Sequence, residues 1–216
     1  MKGVVKFSSI LLLPIALSGC GQFGNQFTCG DEDSKSTTLE IIKDHMEKAV
    51  GERSKDESGN ALASSSAISA ALSQLKMTIE NIRTTKKDPD STMQFCSGTL
   101  KVVYPLNVLK DADETRSMAN LNNIDNLASK SDIKRKADAF EADLEYSVQP
   151  TDDGKKVFAQ IDNFDDKLNV LAEITASYLL KSSWERMKRQ KVQDYVPPAD
   201  TSGQEEYFSN ESENAF

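Results

Sequence analysis

A single histidine, His45, three cysteines and two groups of carboxylates are the side chains of this 216-residue chain whose types could do chemistry. His45 could act as a base, but nothing near it in sequence completes a nucleophile–base–orienter set. It sits on the polar side of a helical pattern and reads as a solvated histidine. The serines Ser64–Ser66 lack the GxSxG elbow that lifts a nucleophile above a strand-to-helix turn. Asp31-Glu32-Asp33 and Asp162, Asp165 and Asp166 could work as acid and base or hold calcium. The first group falls in a polar stretch; the second falls where a helix begins, and carboxylates there cap free N–H groups. The cysteines, Cys20, Cys29 and Cys96, show neither CxxC spacing nor an HxxxH partner, so no zinc set is expected. The chemistry-bearing residues therefore point away from an enzyme, and no catalytic, metal-binding or cofactor-binding residue is assigned.

Cys20 stands apart. Lys2 and Lys6 precede a short apolar run, Ile10 to Leu17, well under the roughly 18–20 residues of a membrane-spanning helix. The pattern is that of a secretory signal peptide, residues 1–19. The four residues that follow the run, Leu17-Ser18-Gly19-Cys20, resemble the lipobox of bacterial lipoproteins. The resemblance implies cleavage before Cys20 and a diacylglycerol thioether on its sulfur. Acyl chains contribute about 0.8 kcal/mol per buried CH₂, enough together to hold a protein on a bilayer. Residue 21 is Gly and not Asp, which in the lipoprotein family favours the outer membrane over retention in the inner one. With Cys20 given to lipid, Cys29 and Cys96 remain as an even pair in an oxidising compartment, where a disulfide forms and persists. Closing so long a loop stabilises a fold by roughly 4 kcal/mol.

The formal net charge of −8 excludes the basic footprint that nucleic acid demands. Arg83, Lys86 and Lys87, and the run Arg186–Lys191, are the basic groups dense enough to meet an anionic partner such as a lipid phosphate or an acidic protein. Solvated charge is the simpler reading of each.

The elements that must position these residues follow from periodicity. Residues 20–37 read as anchor and tether. Leu39, Ile42, Met46 and Val50 recur at helical spacing and predict a helix over Thr38–Arg53. A weaker helical pattern runs from Ala61 to Leu75. Lys76–Thr85 and Thr92–Tyr104 are rich in β-branched and aromatic residues and flank the turn "KKDPDS", with Gly98 a candidate bulge. Asp111–Lys136 reads as a long polar helical insertion. Phe140–Val148 alternates apolar and polar residues with a period of two, and Asp153-Gly154 marks the hairpin to Lys156–Ile161. Asp165–Arg189 is a helix, apolar from Leu168 to Leu180 and basic at its end. From residue 193 the composition is that of a disordered acidic tail.

One α+β domain over residues 38–192 is the expected outcome, an antiparallel sheet of about four strands with helices on one face. The layout resembles the cystatin-like and NTF2-like families. The block "LKMTIENIRTTKKDPDSTMQFCSGTLKV…YSVQPTDDGKKVFAQI" also resembles a group of small lipoproteins of Gram-negative bacteria, through "IRTTKKD", Cys96 and the "TDDGK" hairpin. The helix after Asp165 departs from that group, and no activity is implied.

Three functional readings follow. The favoured one is a non-enzymatic binding or structural module of the cell envelope, anchored in the outer membrane by lipid on Cys20, with an envelope protein as its partner. The second is an inhibitor or exclusion factor blocking a secreted hydrolase or a receptor, and the third a periplasmic hydrolase. The segment from Tyr178 to Met187 carries the candidate partner surface, Trp184 and Met187 with Arg186 beside them, residue types that anchor interfaces.

Overall fold

The computed structural model describes residues 27–193, with Lys191 and Val192 described by backbone alone. The signal segment 1–19, Cys20 and residues 194–216 lie outside the described residues.

The first helix, α1, is Glu32–Arg53, and Thr38, Ile42, Met46 and Val50 form its buried stripe. It begins earlier than Thr38. Asp31 occupies the N-cap position and accepts hydrogen bonds from the Thr28 N–H (2.7 Å) and hydroxyl (2.9 Å). Glu32 and Asp33 fill the first turn, where carboxylates meet the positive end of the helix. Asp31-Glu32-Asp33 is thus a helix start and not part of a tether. The second helix, α2, is only Ser65–Ser73, capped by the Ser64 hydroxyl, which accepts from Ala67 N–H at 3.2 Å. Residues 54–64 form a loop closed on itself by a bridge between Lys55 and Ala61, so the helical pattern expected from Ala61 begins only at Ser65.

Five strands make one antiparallel sheet, one more than the pattern predicts. They are β1 (Lys76–Lys87), β2 (Gln94–Val103), β3 (Lys134–Lys136), β4 (Ala139–Pro150) and β5 (Val157–Asp162). The order is β1-β2-β4, with β3 and β5 sharing the far edge of β4, one at each end. The extra strand, β3, has three residues and no apolar alternation that periodicity could detect. On β4 the even-numbered residues from Phe140 to Val148 are buried beneath the helices, while Asp143 and Glu145 are exposed on the other face. The Asp153-Gly154 turn joins β4 to β5, with Gly154 at φ +66°.

The bulge lies on β1, opposite Gly98. The β1–β2 register shifts between Glu80 and Arg83, where Asn81 takes φ +53°. Gly98 permits this: a Cβ there would lie 3.0 Å from Ile79 Cγ2 and 3.2 Å from the Glu80 carbonyl oxygen.

The polar insertion is three elements. The helix α3 (Leu106–Met118) starts right after Pro105, and α4 (Ile124–Ser129) and β3 follow. What stops α3 is a Schellman turn. Asn120 adopts φ +55°, its N–H bonds the Ser117 carbonyl, and Leu121 N–H bonds the Arg116 carbonyl. Ile124 N–H then donates to Asp113 Oδ1 at 2.9 Å, which holds the connection against α3.

The last helix, α5 (Asp165–Gln193), closes the core. Asp165 and Asp166 stand in its first turn, where the sequence places them as capping carboxylates. Leu171, Ala172 and Ile174 pack with Phe140, Leu144 and the α1 stripe. Tyr104 meets Phe140 edge to face at 5.3 Å and donates its hydroxyl to the Leu171 carbonyl at 2.9 Å, so its burial pushes the phenol above its ordinary range. At the start of α1, Cys29 and Cys96 are joined by a disulfide with Cα atoms 5.7 Å apart. The Tyr146 hydroxyl donates to the Cys29 carbonyl at 3.0 Å, and burial pushes that phenol up to about 12. The bond pins the start of the described chain to the second strand. Among the described residues no helix is long and apolar enough to cross a membrane.

Candidate functional site

While Leu106 and Phe158 lie elsewhere, three of the exposed large apolar residues, Leu62, Leu121 and Met187, collect at the far end of α1 from the disulfide. There a cleft of about 610 Å³ opens between the end of α1 with the loop after it, the end of α3, and α5. That volume lies in the range of small-molecule sites. Its long wall is one face of α5: Glu173, Ala176, Ser177, Leu180, Trp184 and Met187 recur at spacings of three and four. Burial along α5 gives the reason. From Leu168 to Ser177 most residues are enclosed, and beyond Ser177 the helix is only half covered, Ser183 apart.

The opposite walls carry Leu62 and Leu121, which stay 41% and 54% exposed although both are leucines. Leu62 is set by its N–H bond to the Ser54 carbonyl at 2.7 Å, and Leu121 by the Schellman turn. The walls are also tied together. Lys181 on α5 bonds both Asp111 and Glu114 on α3, and these two partners raise its pKa above the ordinary lysine value.

The floor is polar. Arg116 is 3% exposed and lines the cleft. Its Nε donates to the Asn122 carbonyl and its Nη1 to Glu173 Oε1. Nη2 has no acceptor among the described residues, and it is not among the polar atoms sealed from solvent. Ser177, 7% exposed, also lines the cleft, and its hydroxyl has no hydrogen-bond partner among the described residues. Around the rim, Lys55 is taken by Glu52 at 2.7 Å. The Asp56 carboxylate is consumed by its own loop, accepting from Ser58 N–H, Asn60 N–H and the Asn60 side chain. The Asn60 bonds hold it below the usual carboxylate range. Arg53 donates to the Ala49 carbonyl and has no acidic partner among the described ion pairs.

Of the residues singled out in sequence, Trp184 and Met187 line this cleft, and Arg186 does not. Arg186 is exposed and donates to the Ser183 hydroxyl at 3.1 Å. Cys20 lies outside the described residues. His45 is exposed on α1, apart from the cleft. Lys86 sits over the Phe95 ring at 5.5 Å on the open face of the sheet. Asp162 ends β5 and accepts from Gln160. Among the described residues no group of three His, Cys, Asp or Glu side chains could hold a metal ion. Sequence reasoning missed Arg116, Leu121, Glu173 and Ser177. Arg116 is a lone basic residue in a polar stretch, and only the three-dimensional closure of α3 on α5 buries it.

The fold and the site together define an α+β protein with an open antiparallel sheet, helices on one face and one amphipathic cleft at the α1–α3–α5 junction. No protein family matches the sequence, and neither a curated protein nor a solved structure is significantly similar to it.

Proposed function

We propose that this chain is a lipid-anchored, non-enzymatic binding module of the bacterial cell envelope, held in the outer membrane through Cys20 and making its contact through the α5 cleft. The lipobox-like Leu17-Ser18-Gly19-Cys20 supports the anchor, and helices laid on one face of an antiparallel sheet support a cystatin-like or NTF2-like layout. The observation that carries the contact site is the cleft itself. Its Trp, Met and Leu side chains remain partly exposed around a buried charge, where burying them against each other would have stabilised the fold.

The segment from Cys20 to the disulfide-pinned Cys29 reaches at most about 30 Å even fully extended, and the cleft lies at the other end of the 22-residue α1, about 33 Å from the disulfide. The inhibitor reading draws no support from the sheet ends, because the turns Asp88–Met93 and Thr151–Lys156 are polar and not apolar wedges. The hydrolase reading lacks a described serine or threonine hydroxyl in the cleft bonded to a base.

A photoreactive phenylalanine at Leu121 in the full-length protein, irradiated in native membranes, tests the reading. It should give a discrete adduct, and Trp184→Ala with Met187→Ala should remove that adduct without changing the circular dichroism spectrum. An absent adduct, or one undiminished in the double variant, would sink the cleft as the contact site. Intact mass of the membrane-extracted protein checks the anchor separately, and a chain without lipid on Cys20 would refute it.

A further inference from the structure

Resting on the reading of the cleft as the contact site, we infer that the cleft takes a single-chain amphiphile: an apolar chain along the α5 wall and an anionic head on the free edge of Arg116.

The argument begins with the arginine. A guanidinium carries five N–H donors and keeps its charge at any physiological pH. Burial to 3% exposure is costly for such a group unless its donors are matched. Asn122 and Glu173 match Nε and Nη1 only, which leaves Nη2 without a described protein acceptor at the floor of a cavity. Ser177 adds an unmatched hydroxyl on the same floor. Net charge around the opening does not select the ligand: Arg116 is paired with Glu173, Lys55 with Glu52, and Arg53 stands against Asp56 and Glu57. What selects an anionic head is the unmatched Nη2 donor beside the Ser177 hydroxyl. A flat protein surface cannot reach a group so deep, whereas a chain end can.

The walls set the other half of the ligand. Leu180, Trp184 and Met187 on α5, faced by Leu62 and Leu121 on the opposite walls, give an apolar track leading to the polar floor. A cavity of about 610 Å³ has room for one alkyl chain with its head, and too little for a folded segment. A carboxylate is the head that fits best, since two oxygens can accept from Nη2 and from the Ser177 hydroxyl together.

The test uses the emission of Trp184, the only tryptophan in the chain, in the full-length protein. Dodecanoate, kept below its micelle concentration, should bind saturably at one site and shift that emission. Shortening the chain should weaken binding about fourfold per methylene removed. Dodecyltrimethylammonium, with the same chain and a cationic head, should bind at least tenfold more weakly. Arg116→Gln should abolish that discrimination. Where this variant fails to fold, the head-group series on the natural protein decides alone, and Leu121→Asp at the exposed rim should weaken both probes. Equal binding of cation and anion, no saturable dodecanoate binding, or tighter binding of a peptide with an apolar carboxyl-terminal residue would each overturn the proposal. Failure of every alkyl probe, with the Leu121 adduct still lost in the Trp184→Ala, Met187→Ala protein, rejects the ligand class and leaves the contact site standing.

Discussion

Removing the Cys29–Cys96 bond should be the most destabilising small change available in this chain, and its size can be worked out in two parts. The bond spans 67 residues and encloses α1, α2 and β1. Without it the unfolded chain regains the entropy of an open loop, about 4 kcal/mol. Both sulfurs are also buried, at 1% and 2% exposure, so Cys29→Ala with Cys96→Ala forfeits packing of roughly 1 kcal/mol per sulfur. Reducing the natural protein removes only the first part, since the two thiols still fill the space. Urea unfolding followed by circular dichroism and by Trp184 emission separates the two. With a slope of about 2 kcal/mol per molar, reduction should lower the midpoint by about 2 M and the double alanine variant by about 3 M. The slope itself should rise on reduction, because an unlinked chain exposes more surface. A midpoint shift below about 0.5 M on reduction would refute the loop argument.

Gly98→Ala should cost about 1–3 kcal/mol, because the new Cβ would press on Ile79 Cγ2 at 3.0 Å and on the Glu80 carbonyl at 3.2 Å; an unchanged melting temperature would show that the β1 bulge gives way. Asn120→Val should cost about 1–2 kcal/mol at φ +55°, whereas Asn120→Gly should be neutral or slightly stabilising, as thermal unfolding of the pair will show. Alkaline pH should unfold the protein from about pH 10 upward. Tyr146, whose folded pKa is raised to about 12, stays protonated in the fold while the unfolded chain ionises near 10. Its stabilisation is therefore complete below pH 10 and lost as pH rises toward 12, at no more than about 1.4 kcal/mol per pH unit; Tyr146→Phe should flatten that limb, and an unaltered profile would contradict the assignment.

What could be read from the sequence was whatever depends on local period. The alternation through Phe140–Val148, the Asp-Gly hairpin and the stripe Ile42, Met46 and Val50 each report a residue's immediate surroundings, and each stands in the fold. The Cys29–Cys96 pairing could be argued because three cysteines leave few combinations once Cys20 is set aside. The insertion could not be read, because α3, α4 and β3 are amphipathic only toward partners distant in sequence. Leu121 shares helical spacing with Met118 and Ile124, yet Asn120 breaks the helix between them with a positive φ. Half of the candidate site was visible for the same reason. Trp184 and Met187 stand out by type, while Arg116 becomes notable only when α5 covers it.

The cleft owes its form to a division of work along α5. Up to Ser177 the helix is a core element, with Leu171 and Ile174 fully enclosed. Beyond that point apolar burial no longer fixes its position, and a helix held at one end alone would be free to splay. Polar contacts with α3 take over: Lys181 reaches Asp111 and Glu114, and Arg116 reaches back to Glu173. Exposed ion pairs are individually weak, but here Arg116 is enclosed while its partner Glu173 is half-buried, and losing Glu173 would strand the buried charge. These ties hold the two walls at a set spacing before any ligand arrives, which lowers the ordering cost of binding. They also predict how variants divide. Rim residues such as Leu121 and Met187 should change binding while leaving stability alone. Glu173 should change both, because the same side chain that props the wall neutralises the floor.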